Sequence, residues 1–393
     1  MKSNLSGLNR IPSLDIVRGL VMVVMALDHT RDLIHNASIG SDPTDLATTT
    51  PALFLTRWVT HLCAPTFVFL SGASAFLSLY KKKDLPEARK FLVTRGLWLI
   101  LLEVTVVNFG IWFDIHFEML LLQVIAAIGI GFIALGLVLR LNPAAVGITG
   151  LVVILFNQLA GGAFPESPST IQALLRSLFQ PGFFPVGEHR LILLVYPPVP
   201  WIGILFTGYG FGRNMLRDQK SRIRLCITLS LALLTGFVVL RFLNLYGDPN
   251  PWAPQKSDLF SVFSFMNVSK YPPSLMYALL MLGIMFALLA CAEKLRGRVA
   301  GIIQVYGKVP LFFYLVHWYL IHLVLFGLLF AQGYSFSEFE FGENFGRPRG
   351  AGGYPLPVVY LVWVGVVVAL YPVCKRYGQY KAAHPEKVWL RYL

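Results

Sequence analysis

Residues 18–29 read RGLVMVVMALDH and place an arginine and a histidine eleven positions apart in an apolar run. On an α-helix, eleven positions advance about 1,100°, or three turns plus about 20°, so Arg18 and His29 share one face about 16 Å apart along the axis. Met22 and Met25 lie between them on the same stripe. A charged group at the bilayer centre costs about 2.5–3.5 kcal/mol, so intramembrane ionisable residues are functional candidates. This stretch therefore predicts a transmembrane helix that carries a site.

The composition predicts an integral membrane protein. Of 393 residues, 56% are hydrophobic and only 13% are charged, and the mean hydropathy is +0.64; such values are typical of a chain built largely from membrane spans. No polar block is long enough to fold separately, so we expect residues 1–393 to form one domain. The four cysteines lack CxxC spacing, which argues against a disulfide framework and against a zinc site.

The apolar runs predict an all-α bundle of about ten transmembrane helices. Because Asp28 and His29 interrupt the end of the first run and no small-residue cleavage site follows it, we interpret that run as a permanent helix and not as a signal peptide. The predicted spans are 14–35, 52–79, 91–113, 117–139, 143–160, 192–212, 224–245, 274–293, 300–330 and 355–374.

The loops between these spans alternate in charge, which predicts the topology. Basic residues concentrate in the loop with Lys81, Lys82 and Lys83, at 213–224, at 294–298 and beyond residue 374, whereas loops 36–51 and 114–116 contain no Lys or Arg. By the positive-inside rule, both termini are cytoplasmic and the sparse loops face outward. These loops also explain the net charge of +13, so we expect no nucleic-acid partner.

Ionisable residues recur on three further predicted helices. Arg57 and His61 are four residues apart and hence lie on one face of their helix. Glu103 lies at a comparable depth, where a buried carboxylate needs a proton or a cationic partner on a neighbouring helix. The ninth helix carries His317 and His322, which are about 140° apart, so the two rings do not point into the same site.

His29 is the strongest candidate for chemistry. A histidine oriented by a carboxylate takes a proton from a hydroxyl or an amine when its pKa lies near ambient pH. Asp32 follows three positions later, where its side chain is well placed to orient the imidazole. Asp28 points about 100° away from His29, so we expect it to bind an acceptor or a partner helix.

A set of ordered motifs resembles a known family. The motifs are SLDIVRG at 13–19, DHTRD at 28–32, THLCAPTFVFLSG at 60–72, YPPVPWIG at 196–203, VSKYPPS at 268–274 and VPLFFYLVHWYLIH at 309–322. Arg18-X10-His29 alone is similar to the motif of acyltransferase-3 membrane acyltransferases. The whole set, which runs from the first to the ninth predicted helix, resembles the DUF1624 family, which is related to the catalytic domain of heparan-α-glucosaminide N-acetyltransferase and to YeiB-like proteins.

The resemblance implies transfer of an acyl group, usually acetyl, from cytoplasmic acyl-CoA to an amine or hydroxyl of an extracytoplasmic sugar or glycan. We then expect His29, with Asp32 and Asp28, to be catalytic, and His61 or His317 to stabilise the developing oxyanion. No metal is expected, because no ligand spacing such as HExxH is present. The residues expected to bind the CoA phosphates are Arg18, Arg89, Lys90 and Arg95, and those expected to contact the acceptor are Arg57, Glu103, Lys270, Tyr271 and His322.

The chain departs from the lysosomal relative at one position. That relative has an asparagine where this chain has Asp28, and its active histidine lies farther along, in the following loop. His29 and His35 both remain candidates for the active histidine, and we favour His29 because of the acyltransferase-3 spacing and the nearby Asp32.

Transport is the second function class. Buried Asp, Glu and His residues on several helices also describe a proton relay, although no inverted repeat is visible between the two halves. For either class we expect an integral protein of the bacterial inner membrane in contact with lipid. The sequence is compatible with a homodimer.

Overall fold

Helices make up most of the fold, as the apolar runs predict. The computed structural model describes residues 11–36, 41–80, 84–164, 169–350 and 352–392, so Lys81, Lys82 and Lys83 lie outside the described residues. The helices are α1 (Pro12–Ile34), α2 (Pro51–Thr60), α3 (Cys63–Leu79), α4 (Leu85–Leu102), α5 (Asn108–Trp112), α6 (Val124–Val138), α7 (Pro143–Gly162), α8 (Thr170–Arg176), α9 (Pro198–Phe211), α10 (Gln219–Leu243), α11 (Asp258–Met266), α12 (Leu275–Lys294), α13 (Arg298–Lys308), α14 (Pro310–Ala331) and α15 (Leu356–Ala383).

Within the described residues, seven helical stretches are long and apolar enough to cross a membrane. They are Pro51–Leu79, Leu85–Trp112, Pro143–Gly162, Gln219–Leu243, Leu275–Lys294, Pro310–Ala331 and Leu356–Ala383. Helices α6 and α9 are shorter, at 15 and 14 residues. Helix α1 has the length, but it carries Asp15, Arg18, Asp28, Arg31 and Asp32. The number of ten spans and the orientation of the termini stay predictions.

A small sheet replaces parts of two predicted helices. Strand β1 (Met119–Leu122) pairs in parallel with β3 (Arg190–Leu194), and β3 pairs antiparallel with β2 (Gly182–Val186). The predicted helices 117–139 and 192–212 therefore begin later, at Val124 and Pro198. The purely all-α prediction is wrong at this point, because a run of four or five apolar residues does not distinguish a strand from a helix end.

The ninth predicted helix, 300–330, is interrupted in the structure. Helix α13 ends at Lys308 and α14 begins at Pro310, with Val309 at φ −134° and ψ 50° between them. Proline lacks a backbone N–H and disfavours the helical conformation of the residue before it. The Pro310 ring therefore separates a short helix from a membrane-length helix.

Helix α1 lies inside the bundle and packs against α2, α3, α12, α13, α14 and α15. Its closest approach is to α13, where two glycines face backbone. A methyl group added at Gly19 would overlap the carbonyl oxygen of Ile303, and one added at Gly307 would overlap that of Asp15. Glycine is required at this crossing because the two backbones leave no room for a side chain.

The segment before α15 holds the C-terminal end of α1. The buried Arg347 donates hydrogen bonds to the carbonyl oxygens of Leu33 and His35, so it caps the last turn of the helix. Tyr354 accepts from the backbone N–H of Asn36 at 3.1 Å and donates its own N–H to Ile34 at 2.8 Å. Burial lowers the pKa of Arg347 to about 10. The segment before α15 thereby fixes the C-terminal end of the helix that carries His29.

Gly307→Ala is expected to lower the free energy of unfolding by about 1–3 kcal/mol, because the added Cβ meets backbone that has no rotamer to adopt. Gly301→Ala in the same helix is the matched control. An added Cβ there meets nothing within 4 Å, and alanine is the better helix former by about 0.5–1 kcal/mol. Thermal unfolding of the purified proteins in detergent measures both variants. Equal midpoints would contradict the close contact between α1 and α13.

Candidate active site

Two histidines from helices distant in sequence meet inside the bundle. Nδ1 of His29 on α1 lies 2.6 Å from Nε2 of His317 on α14. His317 is fully buried, whereas His29 is half-buried. We call these two residues the histidine pair. The pair joins α1 to α14 and leaves one imidazole accessible.

The surrounding backbone fixes which ring nitrogens carry protons when both rings are neutral. Nδ1 of His317 lies 2.6 Å from the carbonyl oxygen of Tyr314, which can only accept, so Nδ1 must be protonated. Nε2 of His317 is then an acceptor, and Nδ1 of His29 donates to it. Nε2 of His29 is left with its lone pair unprotonated, which is the state that a general base requires.

Aromatic residues of α14 surround the His29 ring. Trp318 stacks on it with ring centroids 4.0 Å apart and an interplanar angle of 17°. Tyr314 approaches it edge-on at 6.4 Å. An indole face stabilises a cation, so the stack favours the imidazolium that forms when His29 takes a proton. Neither residue was among the candidates, although Tyr314, His317 and Trp318 share one helix face by their spacing.

The carboxylate predicted to orient His29 has a different partner. Asp32 pairs with the guanidinium of Arg31, so its expected role toward His29 is wrong, and His317 takes that place. Arg31, the residue before Asp32, engages this carboxylate in an ion pair. Asp28 forms two ion pairs, at 2.9 Å with Arg31 and at 2.5 Å with Arg57 of α2. Asp28 therefore binds a partner helix, which is one of its two predicted roles.

A cavity opens at the Arg18 end of α1, and we call it the inner cavity. Its wider part, about 330 Å³, contains four cationic side chains and three serines: Arg18, Arg95, Lys308, Lys381, Ser71, Ser74 and Ser78. A narrower part of about 110 Å³ shares Arg18 and Arg95 with it and continues along apolar side chains to Met22 and Tyr314. The inner cavity thus leads from a basic mouth to a residue that contacts the histidine pair.

The predicted phosphate-binding residues divide into two sets. Arg18 and Arg95 line the inner cavity, and Arg18 also donates to Ser74 at 2.8 Å and lies 3.3 Å from Asp15. Arg89 instead donates to the carbonyl oxygen of Gly136 at 2.9 Å, near the end of α6, and Lys90 is exposed outside the lining. Lys308 and Lys381 are the cations that sequence analysis missed, because they belong to the other end of the chain.

A second cavity of about 270 Å³ is lined by Arg57, the ion-pair partner of Asp28, and we call it the outer cavity. It is polar, and its lining residues are Asp42, Thr44, Arg57, His61, Asn250, Asn267, Val268, Ser269, Lys270 and Tyr271. Arg57 connects it to the pair, since it binds Asp28, the neighbour of His29. Four residues predicted to act in catalysis or acceptor binding, Arg57, His61, Lys270 and Tyr271, therefore share one cavity.

The outer cavity has a positive interior. Lys270 is buried, with its ammonium 5.0 Å from the centre of the Tyr271 ring. Burial alone raises the pKa of Tyr271, but Lys270 and Arg57 outweigh burial, and the pKa of this phenol lies below its ordinary value. Its hydroxyl is 3.5 Å from that of Tyr196, whose pKa is raised, above all by burial. The local field therefore favours a negative charge at this place.

Three candidate residues lie apart from the pair. Glu103 accepts the N–H of Ala126 at 2.8 Å and so caps the N-terminus of α6 instead of meeting a histidine or arginine. His322 stacks on Phe113 with ring centroids 4.4 Å apart. His35 lies beyond the end of α1, where burial, Arg31 and Arg347 lower its pKa. Among the described residues, no group of three or more His, Cys, Asp or Glu side chains could hold a metal ion.

Apolar membrane-length helices around a buried histidine pair define the class as a multi-pass membrane protein. A family model described as heparan-alpha-glucosaminide N-acetyltransferase, catalytic, matches residues 10–243, more than half of the chain. The chain belongs to this family, which confirms the resemblance and identifies it as an acetyltransferase-like membrane enzyme. A search of curated proteins gives no match. The matched region includes α1 to α10, so Lys270, Tyr271 and His317 lie beyond it.

Asp28→Asn is expected to lower the free energy of unfolding by about 3–5 kcal/mol, because it leaves two guanidinium groups facing each other without their shared carboxylate. Asp32→Asn is the control: it removes another carboxylate from Arg31, but that side chain is 39% exposed, so the expected loss is below about 1 kcal/mol. Chemical unfolding in detergent compares the two. Similar losses would show that Asp28 is not the central charge of the cluster.

Proposed function

We propose that this protein is a single-domain transmembrane acyltransferase that moves an acetyl group from cytoplasmic acyl-CoA to an extracytoplasmic sugar or glycan. In this proposal ten helices span a bacterial inner membrane, and both termini face the cytoplasm. The observation that carries it is the histidine pair, which Tyr314 links to the basic inner cavity and which the Arg57–Asp28 ion pair links to the polar outer cavity. A group-transfer enzyme whose two substrates come from opposite sides of a membrane needs such an arrangement.

The inner cavity fits acyl-CoA as the donor substrate. CoA carries phosphates at one end and a thin pantetheine arm that ends in the thioester. The four cations of the mouth suit the phosphates, since guanidinium and ammonium groups form charge-assisted hydrogen bonds with phosphate oxygens. The narrow part leads toward Tyr314, beside the His29 ring. Arg18 and Arg95 line both parts, so they are placed at the point where the arm would enter.

Nε2 of His29 takes the proton from the acceptor in the proposed reaction. The acceptor oxygen or nitrogen forms a bond to the thioester carbon, the carbon–sulfur bond breaks, and the CoA thiolate leaves with the proton that His29 returns. His317 positions the base, because its Nε2 accepts from Nδ1 of His29 and holds the ring. Attack is either direct or follows transfer of the acyl group to His29. His61, whose Nδ1 has no hydrogen-bond partner among the described residues, remains the group proposed for the oxyanion.

Proton-coupled transport would also use buried histidine and carboxylate groups. The family match gives no support to that alternative. Asp28 and Glu103, the carboxylates that a relay would need, are engaged by two arginines and by a helix N-terminus. We therefore retain only the transferase.

His29→Gln is expected to reduce the rate of acetyl transfer by at least about 10²-fold, since general-base catalysis contributes about 10²–10⁴-fold. His35→Gln, a change at the rival histidine, should keep most of the activity. Radiolabelled acetyl-CoA and a mixture of membrane glycans provide the assay with detergent-solubilised protein. Loss of activity in His35→Gln alone would identify His35, beyond the end of α1, as the general base. Activity retained in both variants would show that neither histidine is the general base.

Lys308→Gln and Lys381→Gln are each expected to raise the KM for acetyl-CoA several-fold and to leave kcat nearly unchanged, because they remove a binding charge far from the reacting atoms. Lys90→Gln is the matched control, since Lys90 is exposed and lies outside the cavity lining. Steady-state kinetics at low ionic strength measure the effect. An equal KM in all four proteins would place the donor entrance elsewhere.

A further inference from the structure

The outer cavity contains more positive charge than its own carboxylates neutralise. Asp28 is shared by Arg31 and Arg57, so it is already used by two guanidinium groups. Among the described residues, no carboxylate forms an ion pair with the buried Lys270. A buried cation without a carboxylate favours an anion as its partner.

Among the described residues, the outer-cavity lining itself contains one carboxylate, that of Asp42. Asp42 is exposed, and its Oδ1 accepts from both the N–H and the hydroxyl of Thr44, at 2.8 Å each. A protonated amine entering the cavity would meet Arg57 and Lys270 with no carboxylate free to receive it, and like charges brought together cost several kcal/mol. A sugar amine, which is an ammonium ion at neutral pH in water, is therefore a poor occupant.

The segment that carries Lys270 is held in place. One oxygen of Asp248 accepts from the N–H of Ser269 at 2.9 Å and from the hydroxyl of Ser274 at 2.6 Å, on either side of Lys270. Asn250 donates to Ser269 at 3.0 Å. His61, a buried residue, adds to the same lining an Nδ1 that has no hydrogen-bond partner among the described residues. The cationic group is thus part of a preformed cavity and not of a mobile surface side chain.

We infer that the outer cavity binds an acceptor sugar bearing a carboxylate or phosphate, and that the group acylated is a hydroxyl. This inference rests on the proposed function and specifies its acceptor. Lys270 and Arg57 hold the anionic group, and the neutral hydroxyl reaches His29 without charge repulsion. The transferred proton goes from that hydroxyl to Nε2 of His29, and the acyl carbon exchanges its sulfur for the hydroxyl oxygen. The enzyme is then an O-acyltransferase for an anionic glycan.

The full-length protein in detergent, supplied with radiolabelled acetyl-CoA, tests the inference on four small acceptors. Methyl glucuronide and glucose 1-phosphate are anionic, methyl glucoside is neutral, and methyl glucosaminide is cationic. We expect kcat/KM to be at least about tenfold higher for one of the anionic acceptors than for the cationic one, with the neutral acceptor between them. The comparison of carboxylate with phosphate identifies which anion is preferred.

Variants of the two lysines in the outer loops separate binding from general damage. Lys270→Gln should abolish the preference for the anionic over the neutral acceptor, and Lys270→Arg should restore it. Lys256→Gln is the matched control, because Lys256 is exposed above the Phe260 ring and outside the cavity. The ranking in the unaltered protein requires no variant, so it decides the inference even if Lys270→Gln does not fold.

Each outcome has a distinct meaning. A preference for methyl glucosaminide, or equal use of the neutral and anionic acceptors, would overturn the inference and leave the acyltransferase intact. Absence of acetyl transfer to all four acceptors, with no release of CoA thiol, would count against the proposed function itself. If Lys270→Gln kept the preference for the anionic over the neutral acceptor, Lys270 would not be a residue that binds the acceptor.

Discussion

The carboxylate of Asp28, held between Arg31 and Arg57, is the interaction on which the rest of the site depends. A helix that carries five charged residues cannot lie inside an apolar bundle unless those charges are neutralised locally. Asp28 does this for Arg31, as Asp15 does for Arg18, and at the same time it joins α1 to α2 through Arg57. Because His29 is the next residue, the same ion pairs fix the position of His29 and place Arg57 in the lining of the outer cavity. The same ion pairs therefore neutralise the charges and hold the residues of the site together.

Much of the fold could be predicted from apolar periodicity, and the errors have identifiable causes. Each predicted span contains a helix, because a run of apolar residues in a membrane protein can satisfy its backbone only within a helix or a closed sheet. The sheet was missed because its strands are short and pair with segments distant in the chain. The break at Val309 was missed because Pro310 was treated as part of a continuous helix, although a proline also starts a new one well.

The site could be predicted only as far as local geometry extends. The shared face of Arg18 and His29 follows from helix spacing, and Arg18 lines the inner cavity with Met22, which lies on the same stripe. The partner of His29 does not follow from spacing, because Asp32 is near in sequence whereas His317 is brought there by the packing of α14 on α1. The same limit applies to Glu103. Its partner is the backbone at the start of α6, and the sequence does not show which backbone N–H group a side chain will meet.

The interleaving of the two ends of the chain has a consequence for how the protein can be divided. The histidine pair, the inner cavity and the outer cavity each combine residues from before position 243 with residues from after it, as His29 with His317, Arg18 with Lys308, and Arg57 with Lys270. A fragment that ends where the family match ends would hold half of every functional contact and complete none. The unit that contains the complete site is therefore the helical assembly formed by both portions of the chain.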